Sequence, residues 1–399
     1  MGYSDHVLIV NANLVTGEGV LESGAMRIAE GKIAWIGRTA EAGDTDSAGR
    51  ANGLEQVIDA RGGWLLPGFI DIHVHGGHGC DFMEASETAY DEITHFHGCH
   101  GTTTILATTV TASKEAIDRV LAAAEAYRGL EMPGARLIGV HLEGPFISDK
   151  YPGAQNPAFI VPPNKQWVDE WAGRYPGLVR ILTLAPENDG AMDVIERATE
   201  LGIVCACGHT NSSYATLLQA ADRGLRHAVH TFNAMKPLHH REPGTVGAVL
   251  SEDRISAEVI ADGHHVHPAC IRLLTRAKPA DRLVLITDAI AASGLGDGEY
   301  ELGGLAVVVS DGVCRLKFGD SLAGSTLTMI DAFRYVVRNT GVSVEQASRM
   351  ASGNPAELLG IADATGALAV GKQADVLLLS PELDLKRVWA LGNPIYTAT

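Results

Sequence analysis

Eight short apolar segments rich in β-branched residues alternate with helix-like segments between residues 68 and 288. β-rich stretches stand at both ends of the chain, about 6–60 and 366–399, and no GxGxxG fingerprint follows the first strand of the alternation. Together these observations predict an α/β fold: a (β/α)8 TIM-type barrel with a small β-sandwich domain formed by both chain ends. The doubly wound open sheet, the other home of such an alternation, is disfavoured by the missing glycine fingerprint.

At the N-terminal end, VLIVNANLVTG, GAMRIAEGKIAWIGR and QVIDARGGWLLPG read as short strands punctuated by Gly, Asn and Asp. At the other end GALAVGKQADVLLLSPELDLKRVWALGNPIY returns to that style. Residues 1–64 and 365–399 are therefore assigned to the small domain and 65–364 to the barrel. Barrel strands are expected at 68–75, 103–109, 136–143, 179–185, 202–208, 225–230, 255–260 and 282–288. Helices are expected at 86–99, 113–127, 190–201, 212–223, 267–277, 326–339 and 343–359. No solenoid repeat or low-complexity segment interrupts this plan.

Composition narrows the class. A chain of 399 residues, 46% hydrophobic and 20% charged, is long enough for a large barrel with an appendage and has an ordinary folded composition. Its apolar runs are too short and broken for a transmembrane helix. The start MGYSDHVLIVNANL lacks the basic region and cleavage site of a signal peptide. Lys and Arg number 31 against 48 Asp and Glu, a net charge of −17, which weighs against nucleic acid and anionic membranes as partners. A small anionic substrate stays open, because a few Arg and His side chains can bind a phosphate. The six cysteines show no paired zinc spacing, so reduced thiols in a cytoplasmic protein are expected.

The barrel makes a testable demand: chemistry belongs at the C-terminal ends of its strands. The first strand runs into His73-x-His75, and alternation along a strand puts Asp71, His73 and His75 on one face. Two imidazoles so spaced can converge on one metal ion, which polarises carbonyls and makes water nucleophilic at neutral pH. The third strand ends with His141 and Glu143, the fifth with His209, the sixth with His230 and the eighth with Asp288. The seventh leads into Asp262, His264, His265 and His267. Any one of these reads equally as a turn or cap residue; their recurrence at five strand ends is the signal. Imidazole with carboxylate suits zinc, iron, manganese or cobalt, as one ion or two. Asp71 is expected to be structural, and Cys205 and Cys207, on one strand face with His209, to be small core residues. Ser321 and Ser325 in SLAGSTLTM lack the G-x-S-x-G elbow of a serine nucleophile. Ser325 or Thr326 reads instead as the N-cap of the following helix.

PGFIDIHVHG resembles the metal signature of the amidohydrolase superfamily. With HLEGPF, GHT, HTFNAM, REPG, IADGHHVH, TDA and SLAGSTLTM, in order from about residue 7 to 390, the chain looks like the N-acetylglucosamine-6-phosphate deacetylase family. The resemblance implies a metal-bearing barrel in which Glu143, His209 and His230 hold the tightly bound ion. His73 and His75, with Asp288, would bind a second; zinc is the first choice and no organic cofactor is needed. Some family members lack the histidine pair and use one metal, so this chain is expected to be binuclear. Where many superfamily relatives carry a bridging carboxylated lysine at a strand end, Glu143 would take the place. Asp288 would take a proton from the attacking water and deliver it to the leaving amine. Phosphate recognition would fall to Asn233, the backbone of Ala234, His265 and Arg241, the arginine reaching the neighbouring active site of a homodimer. Ala154 and Gln155, in a loop at 147–157 expected to act as a lid, would face the sugar, although many family members have His where Gln155 stands. His264 and His267 receive no role. Other metal amidohydrolases, such as a deacetylase of N-acetylgalactosamine 6-phosphate, and a non-catalytic scaffold are the alternatives.

Overall fold

The computed structural model describes residues 6–42 and 55–398, so the parts of the small-domain assignment at 1–5, 43–54 and 399 lie outside the described residues. The small domain is built around the hairpin His6–Thr16 and Gly19–Ala29, extended by Lys32–Arg38. Its first strand changes parallel partner midway. Residues 6–10 pair with Glu55–Asp59, and Asn13 and Leu14 pair with Trp64 and Leu65. A register break between Ile9 and Ala12, with Asn11 at φ 56°, marks the change. Trp64–Pro67 then pairs antiparallel with Val376–Leu379, which continues through Leu385–Ala390 to Asn393–Thr397. Ile9, Leu14, Met26, Ile33, Leu65, Val376 and Trp389 form the buried core of this sheet, which draws on both chain ends.

Trp64–Pro67 runs through Gly68 directly into the first barrel strand, Phe69–Asp71. A Cβ on Gly68 would collide with the side chain of Thr103, so only glycine lets the two strands lie this close. All eight expected barrel strands are present. After the first come Thr102–Thr109, Arg136–Glu143, Val179–Leu184, Val204–Cys207, Leu225–Ala228, Ser256–Ile260 and Leu283–Ile286. They pair in parallel in this order. The expected helices appear with ends shifted by a few residues, from Glu87–Gly98 to Met329–Thr340. The stretch expected as one helix at 343–359 holds a π-helical segment, Arg349–Gly353, between Val344–Ser348 and Asn354–Leu358. Pro355, which has no N–H to give, stands just beyond it.

Several elements were not anticipated. Lys165–Arg174 is a helix capped by Asn164, and Gly244–Ser251 is a helix buried nearly all round. Gly298–Leu302, Leu305–Ser310 and Val313–Leu316 form an antiparallel meander after the eighth strand. No helix among the described residues is long and apolar enough to cross a membrane.

The eighth and first strand ends close the circle. His73 O accepts from Asp288 N at 2.9 Å, and His75 N donates to Ala289 O at 2.8 Å. Asp71 is fully buried in this seam and accepts from Thr287 Oγ1 at 2.6 Å and from His73 N at 3.3 Å. Burial pushes its pKa up to about 7 against those hydrogen bonds. Asp71→Ala would leave Thr287 Oγ1 and the His73 N–H buried without an acceptor. It is expected to lower the unfolding free energy by about 2–4 kcal/mol, read from urea unfolding beside the wild type. A change below about 0.5 kcal/mol would show that the seam does not need this carboxylate.

Candidate metal centre

The strand ends deliver their side chains by a shared local device. Glu143 is the last residue of the third strand, while His73, His209, His230 and Asp288 each stand two residues beyond theirs. There the chain has left the sheet but has not yet turned away. His209, His230 and Asp288 adopt left-handed backbone conformations, with φ of 46°, 28° and 51°. Such strain in non-glycine residues persists only where the surroundings enforce it.

One group of donors centres on Glu143 Oε1, which lies 3.1 Å from His209 Nε2 and 3.0 Å from His230 Nε2. The two nitrogens are 3.2 Å apart. Ligand atoms around a tetrahedral zinc with bonds of about 2.0–2.1 Å stand about 3.3 Å from one another, so this spacing fits one ion. The opposite ring nitrogens, Nδ1 of His209 and of His230, each lie 3.2 Å from a backbone carbonyl, of Tyr151 and Asn233. A carbonyl accepts only, so Nδ1 carries the proton and Nε2 presents its lone pair.

A second group adjoins it. His75 Nε2 lies 3.2 Å from Asp288 Oδ1 and 3.4 Å from Glu143 Oε2. His73 Nε2 lies 3.3 Å from Glu143 Oε1 and 3.6 Å from Asp288 Oδ1. That nitrogen is buried and meets no hydrogen-bond partner, an orphan whose surroundings suit a cation. Glu143 therefore faces both groups, and Gln155 Nε2 donates to its Oε2 at 2.5 Å.

Charge balance follows from the crowding. Burial opposes a charged His75, but hydrogen bonds to Asp288 and Glu143 outweigh it and raise its pKa to about 10. His73 is likewise held well above its ordinary value by Glu258 and Glu143 despite burial. Burial works against ionised Glu143, yet His73 and His209 hold its carboxyl well below the usual range. Asp288 stays lowered through its bond to His75. Two carboxylates inside the protein thus demand positive charge beside them, which protons or a divalent ion can supply.

The other strand-end residues separate cleanly. His141 is neutral, its pKa pushed down to about 3 by burial, and both nitrogens are engaged, with Ile72 O at 2.9 Å and Thr183 Oγ1 at 2.8 Å. Cys205 and Cys207 are core residues whose thiols burial pushes up to about 12. His267 caps the helix Pro268–Ala277. Ser325 does not cap a helix: its hydroxyl donates to Thr287 O at 2.6 Å and ties its loop to the eighth strand. The helix begins at Met329 after Thr328, three residues late, because that loop must first pack on Asp288. Sequence reading missed Glu258 and His227, buried in the barrel at 2.8 Å from each other. A lone carboxylate within the apolar run ISAEVIA was the signal available.

A cavity of about 420 Å³ opens above the cluster, with His75, Glu143, His209, His230 and Asp288 among its lining. The segment 150–155 walls one side, and Asn233, Ala234, His265 and Leu302 of the meander contribute others. Gln155 Oε1 also accepts from Thr111 N at 2.6 Å, and its amide keeps one hydrogen unspent. Lys150 lines the cavity as well. Arg241 does not; it is exposed, 2.7 Å from His240 Nε2. A larger cavity, about 540 Å³, beside Arg272 and Arg338 carries no carboxylate or imidazole, so the hydrolytic chemistry belongs to the first.

A parallel barrel that gathers four imidazoles and two carboxylates at its strand ends is the scaffold of a metal-dependent hydrolase. Residues 64–396 match the amidohydrolase family, and the chain belongs to it. It is 38% identical over 393 residues to the N-acetylglucosamine-6-phosphate deacetylase of Bacillus subtilis, covering 98% of this chain and 97% of that one. The N-acetylgalactosamine-6-phosphate deacetylase of Escherichia coli O157:H7 is 37% identical over 391 residues, 97% of this chain and 98% of that one. Among solved structures, the N-acetyl-D-glucosamine-6-phosphate deacetylase of Mycobacterium smegmatis, in complex with N-acetyl-D-glucosamine-6-phosphate, superposes with a TM-score of 0.91 at 34% identity. That match covers 98% of this chain and all of the other. The chain is thus an enzyme of a metal-dependent superfamily.

Because Glu143 lies within 3.4 Å of all four histidines of the cluster, Glu143→Gln is expected to weaken metal binding by more than about 100-fold with the circular dichroism spectrum unchanged. Elemental analysis after dialysis against a weak chelator checks this, and wild-type metal content in the variant would remove Glu143 from the ligand set.

Proposed function

We propose that this enzyme hydrolyses the N-acetyl group of N-acetyl-D-glucosamine 6-phosphate to glucosamine 6-phosphate and acetate, in amino-sugar catabolism and recycling. The observation that carries the reading is the convergence of Glu143, His209, His230, His73, His75 and Asp288 beneath one cavity. The full-length similarity to deacetylases of this substrate supports it.

Glu143, His209 and His230 would hold one divalent ion, and His73, His75 and Asp288 a second. Zinc suits these donors first, and iron, manganese or cobalt also fit. The bound metal supplies Lewis-acid polarisation of the amide carbonyl and acidifies water. Asp288 moves the proton. Ionised in its nest of imidazoles, it takes a proton from the attacking water and then protonates the nitrogen of the leaving amine, so the C–N bond breaks towards a neutral amine. His265, whose Nδ1 lies 2.6 Å from Asp262 Oδ2, has its ring direction fixed by that contact. It would bind the phosphate with Asn233, the backbone of Ala234 and Lys150. Arg241, which does not line its own subunit's cavity, would reach the neighbouring subunit's site in a homodimer. Ala154 and the unspent amide hydrogen of Gln155 would face the sugar. The six cysteines are free, which fits a reducing, cytoplasmic setting.

Acetate release should be fast from N-acetylglucosamine 6-phosphate, slow from the unphosphorylated sugar, abolished by chelation and restored by zinc. Faster release from N-acetylgalactosamine 6-phosphate would assign the other epimer, and no release from any of the three sugars with metal bound would overturn the reading. Asp288→Asn is expected to cut kcat by about 10²–10⁴-fold while the Glu143–His209–His230 ion stays bound. Near-wild-type turnover would remove Asp288 from the proton step.

A further inference from the structure

Glu258 stands in the middle of the seventh barrel strand, fully buried, below the cavity and outside its lining. Its carboxylate meets three groups. Oε2 lies 2.8 Å from His73 Nδ1 and accepts from the backbone N–H of His230 at 3.0 Å. Oε1 lies 2.8 Å from His227 Nε2. An ionised carboxylate only accepts, so the ring nitrogen facing it carries the hydrogen. With that hydrogen on Nδ1, the opposite nitrogen of His73 is the one free to ligate, and it is the orphan aimed at Glu143 and Asp288.

His73 belongs to each of the three overlapping sets of potential ligands around the cluster, one of them with His141 and Glu258. That last set does not make a metal site. Both nitrogens of His141 and both oxygens of Glu258 are already engaged by protein groups.

We propose that Glu258 is a positioning residue for the dinuclear centre. Its Oε2 fixes the tautomer and ring direction of His73, and the same atom holds the left-handed backbone of His230 in place. One buried carboxylate thus orients a ligand of each ion. The inference rests on the two-ion reading above. Contact with His73 is through the ring itself and contact with His230 only through its main chain, so the ion held by His73, His75 and Asp288 depends on Glu258 more. The ring of His230 keeps its separate anchor at Asn233 O.

Glu258→Gln keeps the shape and removes the charge that makes His73 a strong donor. Stepwise zinc affinities are measured by competition with a chelating dye, with zinc content by elemental analysis. The wild type should hold two ions. The variant should bind the first as the wild type does and the second about 10–100-fold more weakly, with the circular dichroism spectrum retained. Wild-type affinity for both ions, or equal weakening of both, overturns the assignment. A wild type that binds a single ion overturns the two-ion reading instead, and with it the selective effect. Should the variant not fold, ring ¹⁵N spectra of the zinc-loaded wild type decide. A protonated Nδ1 on His73, identified by its loss in His73→Gln, is expected, and a protonated Nε2 overturns the proposal.

Discussion

The seam between the first and eighth barrel strands is the constraint on which the rest depends. Asp71 and Thr287 are 216 positions apart and meet across it at 2.6 Å. The backbone bond from Asp288 N to His73 O, one residue beyond Thr287 and two beyond Asp71, brings the histidine pair against Asp288. Without that closure the sheet would have two open edges, and the donors from opposite ends of the barrel would stand apart. Closure also explains why the seam is polar. A buried Asp71 is costly to ionise, but it satisfies a hydroxyl and a backbone N–H that have no partner in the sheet.

From this seam the electrostatics of the site follow. Carboxylates and imidazoles packed 3.0–3.6 Å apart are stable only if their charges compensate. Glu143 and Asp288 are kept ionised by imidazoles, and His73 and His75 are drawn towards protonation by the carboxylates. The cluster is therefore already organised around positive charge, and a divalent ion would replace protons rather than disturb a neutral core. The left-handed backbones of His209, His230 and Asp288 belong to the same account. Each is an unfavourable local conformation held by neighbours, as His230 is by Glu258 and Asp288 by the seam.

Much of this was legible in the chain itself because barrel strands are local objects. Each shows as an apolar run, and its polar end residue shows as a break in that run, so His73, His75, Glu143, His209, His230 and Asp288 could be read by position. The first strand is shorter than its apolar run, however. It ends at Asp71, so alternation puts Asp71 in the seam and leaves the two histidines to be aimed by the eighth strand. What was not legible depends on contacts across the barrel. Glu258 sits mid-strand, where the strand-end rule does not look. The resemblance puts Gln155 at the sugar, but its amide bonds to Thr111 and Glu143 depend on the fold. The helix Gly244–Ser251 escaped because, buried nearly all round, it has no polar face to give it a period. The meander at 298–316 is different: its alternation and its Gly303-Gly304 and Asp311-Gly312 turns were in plain view and went unread.

The division between strand ends and loops bears on what the enzyme distinguishes. Every proposed metal donor lies within two residues of a barrel strand end, apart from His75, which the seam pins to Ala289. By contrast, the groups left to meet a substrate, Lys150 to Gln155, Asn233, Ala234 and His265, lie on the connections, with Leu302 from the inserted meander. Amide hydrolysis is thus set by the barrel, and the choice of amide by segments that can change without disturbing it. Relatives bearing glucosamine and galactosamine names match this chain at 38% and 37% identity over nearly its whole length. Identity at that level reports mainly the shared frame. Under the proposed function the epimer would be discriminated by a few loop atoms around one sugar hydroxyl, and Gln155 would be one of them, because its remaining hydrogen is fixed in direction by the two bonds it makes to Glu143 and Thr111. The residue that steadies the metal-binding carboxylate would then also read the sugar, so a change there would alter metal affinity and substrate preference together.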